Sequence, residues 1–399
     1  MLERTDDAEL RILFFTATYF VLDGVTLTIR RIESHLRAKG AAVKVLTTVP
    51  DDATAEQLDD VIAVPGIKIP FDHAGSYAFG TGLDAGTIGQ IEEFNPTCVH
   101  FTVPDFVALD GIRWCQQHNV AYIATWHSNY CDYLKVCVCV FLVPGAPLVH
   151  AFSPPPSSHP QNTQYYFIEW ILGPAMHRYL KGFYEQIPAV YVPTPHMLAK
   201  METWGYGSCA QLFEWGRGCD LKVFTPARRS HAFRASKGMS DTDVVILWVG
   251  RLVPEKRPDI WLHTVRRLQA DGLPVKAMVV GNGSYEKTLA AIKDVTCCGW
   301  LFGPALGEAY ASCDVLLFPS DVETFGNVTL EALASGCPCV VEEKCGGHLV
   351  QHGVNGFTCA AGDFEGFYQA TKRIVQDVVL RKVRCVMCGT ARITHTGHI

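Results

Sequence analysis

No stretch of this 399-residue chain stays apolar for the roughly 20 residues that a membrane-spanning helix requires. The N-terminus is acidic and lacks the apolar core of a secretory leader, so a cytoplasmic protein is expected, with peripheral contact at a membrane surface left open. Positive charge is not in excess. Lys and Arg number 34 against 40 Asp and Glu, a net charge of −6, which gives no electrostatic case for nucleic acid as partner. Internal repeats and low-complexity tracts are absent. Apolar residues are plentiful at 48%, and the length suits two domains, each with its own core. The 16 cysteines are scattered through apolar strand contexts such as Cys98, Cys313, Cys337 and Cys339, and read as buried thiols of a reducing compartment. Cys385-Val-Met-Cys388 has no second pair, so a four-ligand zinc site is not expected.

Strands and helices alternate along the chain, which implies parallel sheets. The first half has expected strands at Ile12–Ala17, Val43–Thr48, Cys98–Val103, Tyr122–Thr125, Ala189–Val192 and Gln211–Trp215. Helices are expected from about Thr26 to Ala38, with Gly40 as the stop, and near Phe106–His118. The polar, breaker-rich run Thr225–Ser240 reads as the linker. The second half repeats the pattern, with strands at 243–249, 275–280, 297–301, 315–318, 338–342 and 357–360. The fold class is therefore α/β, with domains at 1–228 and 229–399.

Two strand ends carry the chemistry. Phe318-Pro-Ser-Asp-Val-Glu323-Thr-Phe-Gly-Asn-Val-Thr-Leu-Glu331 runs from a buried strand through a loop into a helix that starts near Asn327. Glu323 stands on the loop and Glu331 on the helix's first turn, beside backbone N–H groups that favour anions. Carboxylates accept hydrogen bonds from hydroxyls, so the pair beside a phosphate cradle describes a nucleotide-sugar site; the competing reading is an ordinary strand–loop–helix with two solvated glutamates. The other end is Gly250-Arg-Leu-Val-Pro-Glu-Lys256, which puts two cations at the mouth of a parallel sheet. Arg251 can bridge two phosphate oxygens and Lys256 can act as a point charge. Gly281-Asn-Gly283-Ser-Tyr-Glu286 opens a helix after a strand, but Glu286 stands where a dinucleotide fingerprint needs its third glycine. It reads as a glycine turn beside a nucleotide. Asp241-Thr-Asp243 precedes its strand and so reads as linker rather than a metal pair.

Taken together these segments resemble the retaining glycosyltransferases of family 4. Asp23-Gly-Val-Thr26 is similar to the family's glycine loop after its first strand, and Ala124-Thr-Trp-His-Ser-Asn-Tyr130 to its THTNF-like segment, in what would be the acceptor-side domain. Val192-Pro-Thr194, Trp215-Gly-Arg-Gly218 and Asp220–Pro226 are similar to its domain-closing region. The resemblance spans roughly residues 11–135 and 165–380, and looks closest to the branch with sulfoquinovosyltransferases and GDP-mannose-dependent mannosyltransferases. It implies the GT-B fold, two doubly wound Rossmann-like domains facing a cleft, and transfer of a hexosyl group from a nucleoside-diphosphate sugar to an acceptor hydroxyl, with a sugar or lipid as acceptor. It implies donor binding by Gly24, Gly250, Arg251, Lys256, Gly281, Glu323, Phe325, Gly326, Asn327 and Glu331, the last on the ribose. It implies catalytic roles for His127, Arg251, Lys256 and Glu323, and neither a metal nor a cofactor beyond the sugar nucleotide. His127 has a second reading, a satisfied structural histidine.

Two segments do not fit this pattern. Val136–Gln164 mixes a Val/Cys run with a proline-rich run, and deleting it joins Asp132–Lys135 to a helical pattern from Tyr165. The tail 385–399 has no helical period. The alternative reading is accordingly an inactive nucleotide-sugar binder, or the mis-spliced product of an active gene.

Overall fold

The computed structural model describes residues 9–17, 19–20, 24–68, 78–127, 162–208, 210–292, 294–378 and 381. The chain divides into two compact units, one of Met1–Cys131 and Glu169–Gly216, the other of Asp132–Ile168 and Arg217–Ile399. Asp23, most of the atypical 136–164 segment and the 385–399 tail lie outside the described residues.

The first unit contains β1 (Arg11–Phe15), β2 (Ala42–Thr48), β3 (Val61–Val64), a hairpin of β4 (Gly66–Lys68) and β5 (Ala78–Gly80), then β6 (Cys98–Phe101), β7 (Ala121–Thr125), β8 (Ala189–Val192) and β9 (Gln211–Glu214). Seven of them form one parallel sheet in the order β3-β2-β1-β6-β7-β8-β9. Side chains alternate across each strand. Leu13 and Phe15 of β1 therefore enter one core with Val99, Phe101 and Ile112, while Ile12 and Phe14 enter a second with Ile29, Val43 and Val45. Asp105 and Thr194 start the helices Phe106–His118 and Pro195–Thr203 by accepting from the amides of Ala108 and Met197.

The second unit contains β10 (Val244–Val249), β11 (Val275–Val280), β12 (Val295–Cys297), β13 (Val315–Phe318), β14 (Cys339–Glu342) and β15 (Gly356–Cys359), all parallel, in the order β12-β11-β10-β13-β14-β15. Counted within the unit this is 3-2-1-4-5-6, the doubly wound dinucleotide-fold order. Every residue of β10 is buried, as a sheet covered on both faces demands. Val244, Ile246 and Trp248 pack with the helices Pro258–Ala270 and Phe364–Gln376. Val245, Leu247 and Val249 pack on the opposite face with Gly303–Ser312 and Asn327–Ala334.

Several expectations need correction. The run 225–240 is folded onto the second unit. It forms the helix His231–Ser236, whose Arg234 is 1% exposed and donates to Ser312 O, Asp314 Oδ2, Ser240 O and Asp243 O. The strand expected at 297–301 is Val295–Cys297, because Gly299 turns the chain at φ +63°. Glu331 is the fifth residue of its helix, beyond the first turn. The helix before β8 starts at Asn162, ahead of Tyr165, and the helix expected from Thr26 starts at Gly24.

Two predictions follow from buried groups. His100 on β6 is 8% exposed, meets Thr125 Oγ1 through Nε2 and packs 4.9 Å from the Phe14 ring. Burial holds its pKa down at about 3. Because the unfolded imidazole gains its proton near pH 6.5, the stability this group contributes is complete above that pH and is lost as pH falls toward 3. Urea unfolding of the parent and of His100→Gln at pH 7.5 and 5.5 is expected to show the parent losing about 1.4 kcal/mol more than the variant for each pH unit below 6.5. A pH-independent difference between them would count against a buried neutral imidazole. In the second unit, a Cβ on Gly281 would stand 2.0 Å from Gly250 O at φ +126°. Gly281→Ala is expected to cost roughly 3 kcal/mol in the same experiment. Gly272→Ala, at φ +74° in open space, should cost about 1 kcal/mol; equal losses would refute the close approach.

Candidate active site

In sheets of this order ligands bind outside the carboxyl ends of the strands, where the winding reverses. In the second unit that point lies between β10 and β13, which are neighbours. The loops leaving these two strands are the two that carry the expected site.

Beyond β10, Gly250 N donates to Val280 O at 2.9 Å and Leu252 N to Asn282 O at 2.9 Å, so this segment stays tied to the one beyond β11. Arg251 is exposed. Pro254–Lys256 makes a 3₁₀ turn, with Pro254 fixing its start, and the turn leads into the helix from Pro258. This turn sends Lys256 toward the β13 loop. Its Nζ donates to Glu323 Oε1 at 2.5 Å and to Val322 O at 3.0 Å, and lies 5.7 Å from the centre of the Phe318 ring. The Lys256 and Glu323 side chains are 14% and 20% exposed. The two loops therefore meet through opposite charges at the switch point.

Beyond Glu323 the chain buries Phe325, 3% exposed, with Arg217 5.6 Å over its ring and His348 set edgewise at 5.2 Å. Gly326, at φ +89°, turns the backbone into the helix Asn327–Ala334, and no side chain caps that helix. A Cβ at Gly326 would lie 3.1 Å from Cys345 O, so the turn is also tight against the loop after β14. The uncapped N–H groups form a patch that favours negative charge. At the same helix end, Asn327 Oδ1 and Thr329 Oγ1 are buried with no hydrogen-bond partner among the described residues. Glu331 is 7% exposed and its Oε2 accepts from the Tyr310 hydroxyl at 3.3 Å. Burial, and then the Glu331 charge, push the Tyr310 pKa well above the ordinary phenol value.

The structure thus brings together Lys256 with Glu323, Gly250 with Gly281, and Phe325, Gly326, Asn327 and Glu331 along one loop and helix. Gly24 and His127 belong to the first unit. Gly24 is the first residue of the helix Gly24–Ala38, and its carbonyl accepts from Thr28 Oγ1 at 2.7 Å. His127 follows β7, is 3% exposed and lies perpendicular to Trp215 at 6.3 Å. Asp241 and Asp243 lie before β10, where they accept from His231 and Ser240. Sequence reasoning missed Arg217, Tyr310 and His348. Tyr310 sits in the helix Gly303–Ser312, and its partner is 21 positions away.

Comparison with known proteins bears on this arrangement. The family model "Glycosyltransferase Family 4" matches residues 22–222, and "Glycosyl transferases group 1" matches residues 243–377. The chain is 26% identical over 363 residues to a GDP-mannose-dependent alpha-mannosyltransferase of Corynebacterium glutamicum, covering 89% of this chain and 78% of that protein. It is 24% identical to the sulfoquinovosyl transferase of Arabidopsis thaliana, covering 88% of this chain and 63% of that one. Among solved structures, sucrose-phosphate synthase of Thermosynechococcus elongatus superposes with a TM-score of 0.68 at 18% identity, over 96% of this chain and 94% of that chain, a likeness of fold. The uncapped helix and paired charges at the switch point, the two parallel sheets and the matched family model agree: this chain belongs to glycosyltransferase family 4, is a glycosyltransferase, and has the GT-B type of fold.

Proposed function

We propose that the protein moves a hexosyl group from a nucleoside-diphosphate sugar to a hydroxyl of a sugar or lipid acceptor, with retention at the anomeric carbon as the family resemblance implies. The observation that carries this reading is the Lys256–Glu323 contact, 2.5 Å, at the switch point of a 3-2-1-4-5-6 sheet. A diphosphate competes for Lys256, and sugar hydroxyls compete for Glu323. Binding thus exchanges one ion pair for two charge-assisted contacts.

The difficult part of the reaction is the negative charge that collects on the departing diphosphate while positive charge grows on the sugar carbon. Charges and amide dipoles already aimed at the leaving group meet that need, since they do not have to reorganise as the bond breaks. We assign Arg251 and Lys256 to the diphosphate, together with the amides of Phe325, Gly326 and Asn327. No metal or resident cofactor enters this assignment. Glu323 takes hydroxyls of the transferred sugar and Glu331 those of the ribose. Gly250 and Gly281 let the backbone pass close to the nucleotide. For the first unit we assign the start of the Gly24 helix to anionic phosphate and His127 to the reacting sugar or its acceptor. The C–O bond to the leaving phosphate breaks as the acceptor oxygen bonds to the same face of the sugar. The acceptor's proton passes to the leaving phosphate oxygen.

Thermal-shift titration with UDP-, GDP- and ADP-sugars is expected to give a concentration-dependent rise with one nucleotide class. Lys256→Ala and Glu323→Ala are each expected to lower transfer by at least 100-fold, the scale for removing a preorganised charge from a transition state, and to lower the melting temperature by only a few degrees. Parent-like turnover in both variants would refute the assignment. Donor binding by the parent without transfer to any sugar or lipid acceptor would mark an inactive nucleotide-sugar binder.

A further inference from the structure

A second ion pair joins the same two loops one residue further on. Arg257 donates from Nη1 to Asp321 Oδ2 at 2.8 Å. Its Nε and Nη2 hold Asp259 at 3.0 and 2.8 Å, which fixes the plane of the guanidinium fork and leaves one arm for the neighbouring loop. The Arg257 side chain is 8% exposed and that of Asp321 14%.

Two features of this pair run against local preference. Arg257 stands at φ +58°, ψ 51°, in the left-handed region that residues with a Cβ avoid. Asp321 Oδ1 is buried and has no hydrogen-bond partner among the described residues. Burial lifts the Asp321 pKa above the ordinary carboxylate range against the opposing pull of Arg257. Strained backbone and a half-satisfied carboxylate persist where the surrounding structure needs the geometry they produce.

The need lies next door. The Lys256–Glu323 pair bridges the loops too, but on the proposed reading a donor takes both of its members. A tie that the donor consumes cannot also hold the loops at a fixed spacing while the donor is bound. We propose that Arg257 and Asp321 form a positioning clamp for the donor site, a second ion pair that stays closed when the donor takes Lys256 and Glu323 and so holds the β10 and β13 loops in register. The inference rests on the assignment of Lys256 and Glu323 to the donor. Neither clamp residue touches the reacting atoms. Each acts through its chain neighbours, Lys256 beside Arg257 and the Val322–Glu323 segment beside Asp321.

The test uses the full chain as parent, Arg257→Gly, Asp321→Asn, the double variant and Arg257→Lys. Glycine adopts φ +58° without strain, so Arg257→Gly removes the guanidinium while leaving the backbone at ease. Affinities for UDP, GDP and ADP are measured by calorimetry, and melting temperatures in parallel. Each single variant is expected to weaken binding of the preferred diphosphate about 10-fold, the double variant no further than the worse single, as for two members of one interaction. Arg257→Lys should recover part of the loss, since it keeps the charge without the fork. Unchanged affinity alongside a lowered melting temperature would overturn the proposal, since it describes a pair that serves the fold alone. Additive losses in the double variant would overturn the pairing. Should Arg257→Gly fail to fold, the near-isosteric Asp321→Asn decides alone by the same affinity criterion. A parent that binds none of the three diphosphates overturns the donor assignment and the clamp together, and that failure is visible in the parent before any variant is made.

Discussion

The sheet of the second unit reverses its winding once, between β10 and β13, and the candidate site hangs from the two loops that diverge there. A loop that leaves a parallel strand must climb to a helix on one face of the sheet. Where neighbouring strands send their chains to opposite faces, the loops part and leave a crevice. Here the helix after β10 packs with the core that contains Trp248, and the helix after β13 with the core that contains Val249. The charges in the crevice are therefore a consequence of topology. Any polar side chain a few residues beyond Val249 or Phe318 is delivered to the same place.

What occupies the crevice is then a matter of electrostatics. Lys256 and Glu323 are mostly shielded from water, and each alone there would carry a desolvation cost. Together they neutralise one another at 2.5 Å while remaining 14% and 20% exposed, open enough for exchange with a ligand. A fully buried pair would not let go, and a fully exposed one would contribute little to binding. The helix from Asn327 adds a fixed partial charge that no side chain has taken up, because Gly326 at its start has none to offer. The same glycine is required by the turn at φ +89° and by the nearness of Cys345 O. One residue thus serves the path of the backbone and leaves the anion site open.

Much of this was legible in the sequence, for a physical reason. Strands buried on both faces read as unbroken apolar runs, so 275–280 and 315–318 coincide with the observed strands and 243–249 misses by one residue. The weaker signals failed. β3, Val61–Val64, is a short edge strand with one exposed residue and was not expected. At 297–301 the apolar run continues through Gly299, and only the backbone shows that the glycine ends the extended path. The polar run at 225–240 looks like a linker because its charge is visible and its partners are not. Arg234 is buried only because Asp314, 80 positions away, and several carbonyls receive it. Glu323 and Glu331 were legible as carboxylates near a helix start, but the Tyr310 hydroxyl on Glu331 and the Lys256 ammonium on Glu323 are tertiary facts that no local pattern encodes.

Several departures from local rules lie beyond the carboxyl ends of strands in the second unit. Among the described residues of the second unit, Arg257 is one of two non-glycine residues at positive φ, the other being Asp294 beside β12. Among the described residues, buried side-chain atoms without hydrogen-bond partners include Arg234 Nε, Trp261 Nε1, Thr264 Oγ1 and Ser335 Oγ, and also oxygens of Asn282, Asp321, Asn327 and Thr329 on segments that leave the carboxyl ends of β11 or β13. The opposite ends of β10 and β13 look different. There Asp314 receives Arg229, Arg234 and the Val245 amide, and Ser240 donates to Asp243. The unsatisfied oxygens of Asn282, Asp321, Asn327 and Thr329 stand at the end where a polar ligand can supply the missing bonds, while at the other end Asp314 ties Arg229, Arg234 and the Val245 amide into the framework that fixes the strands.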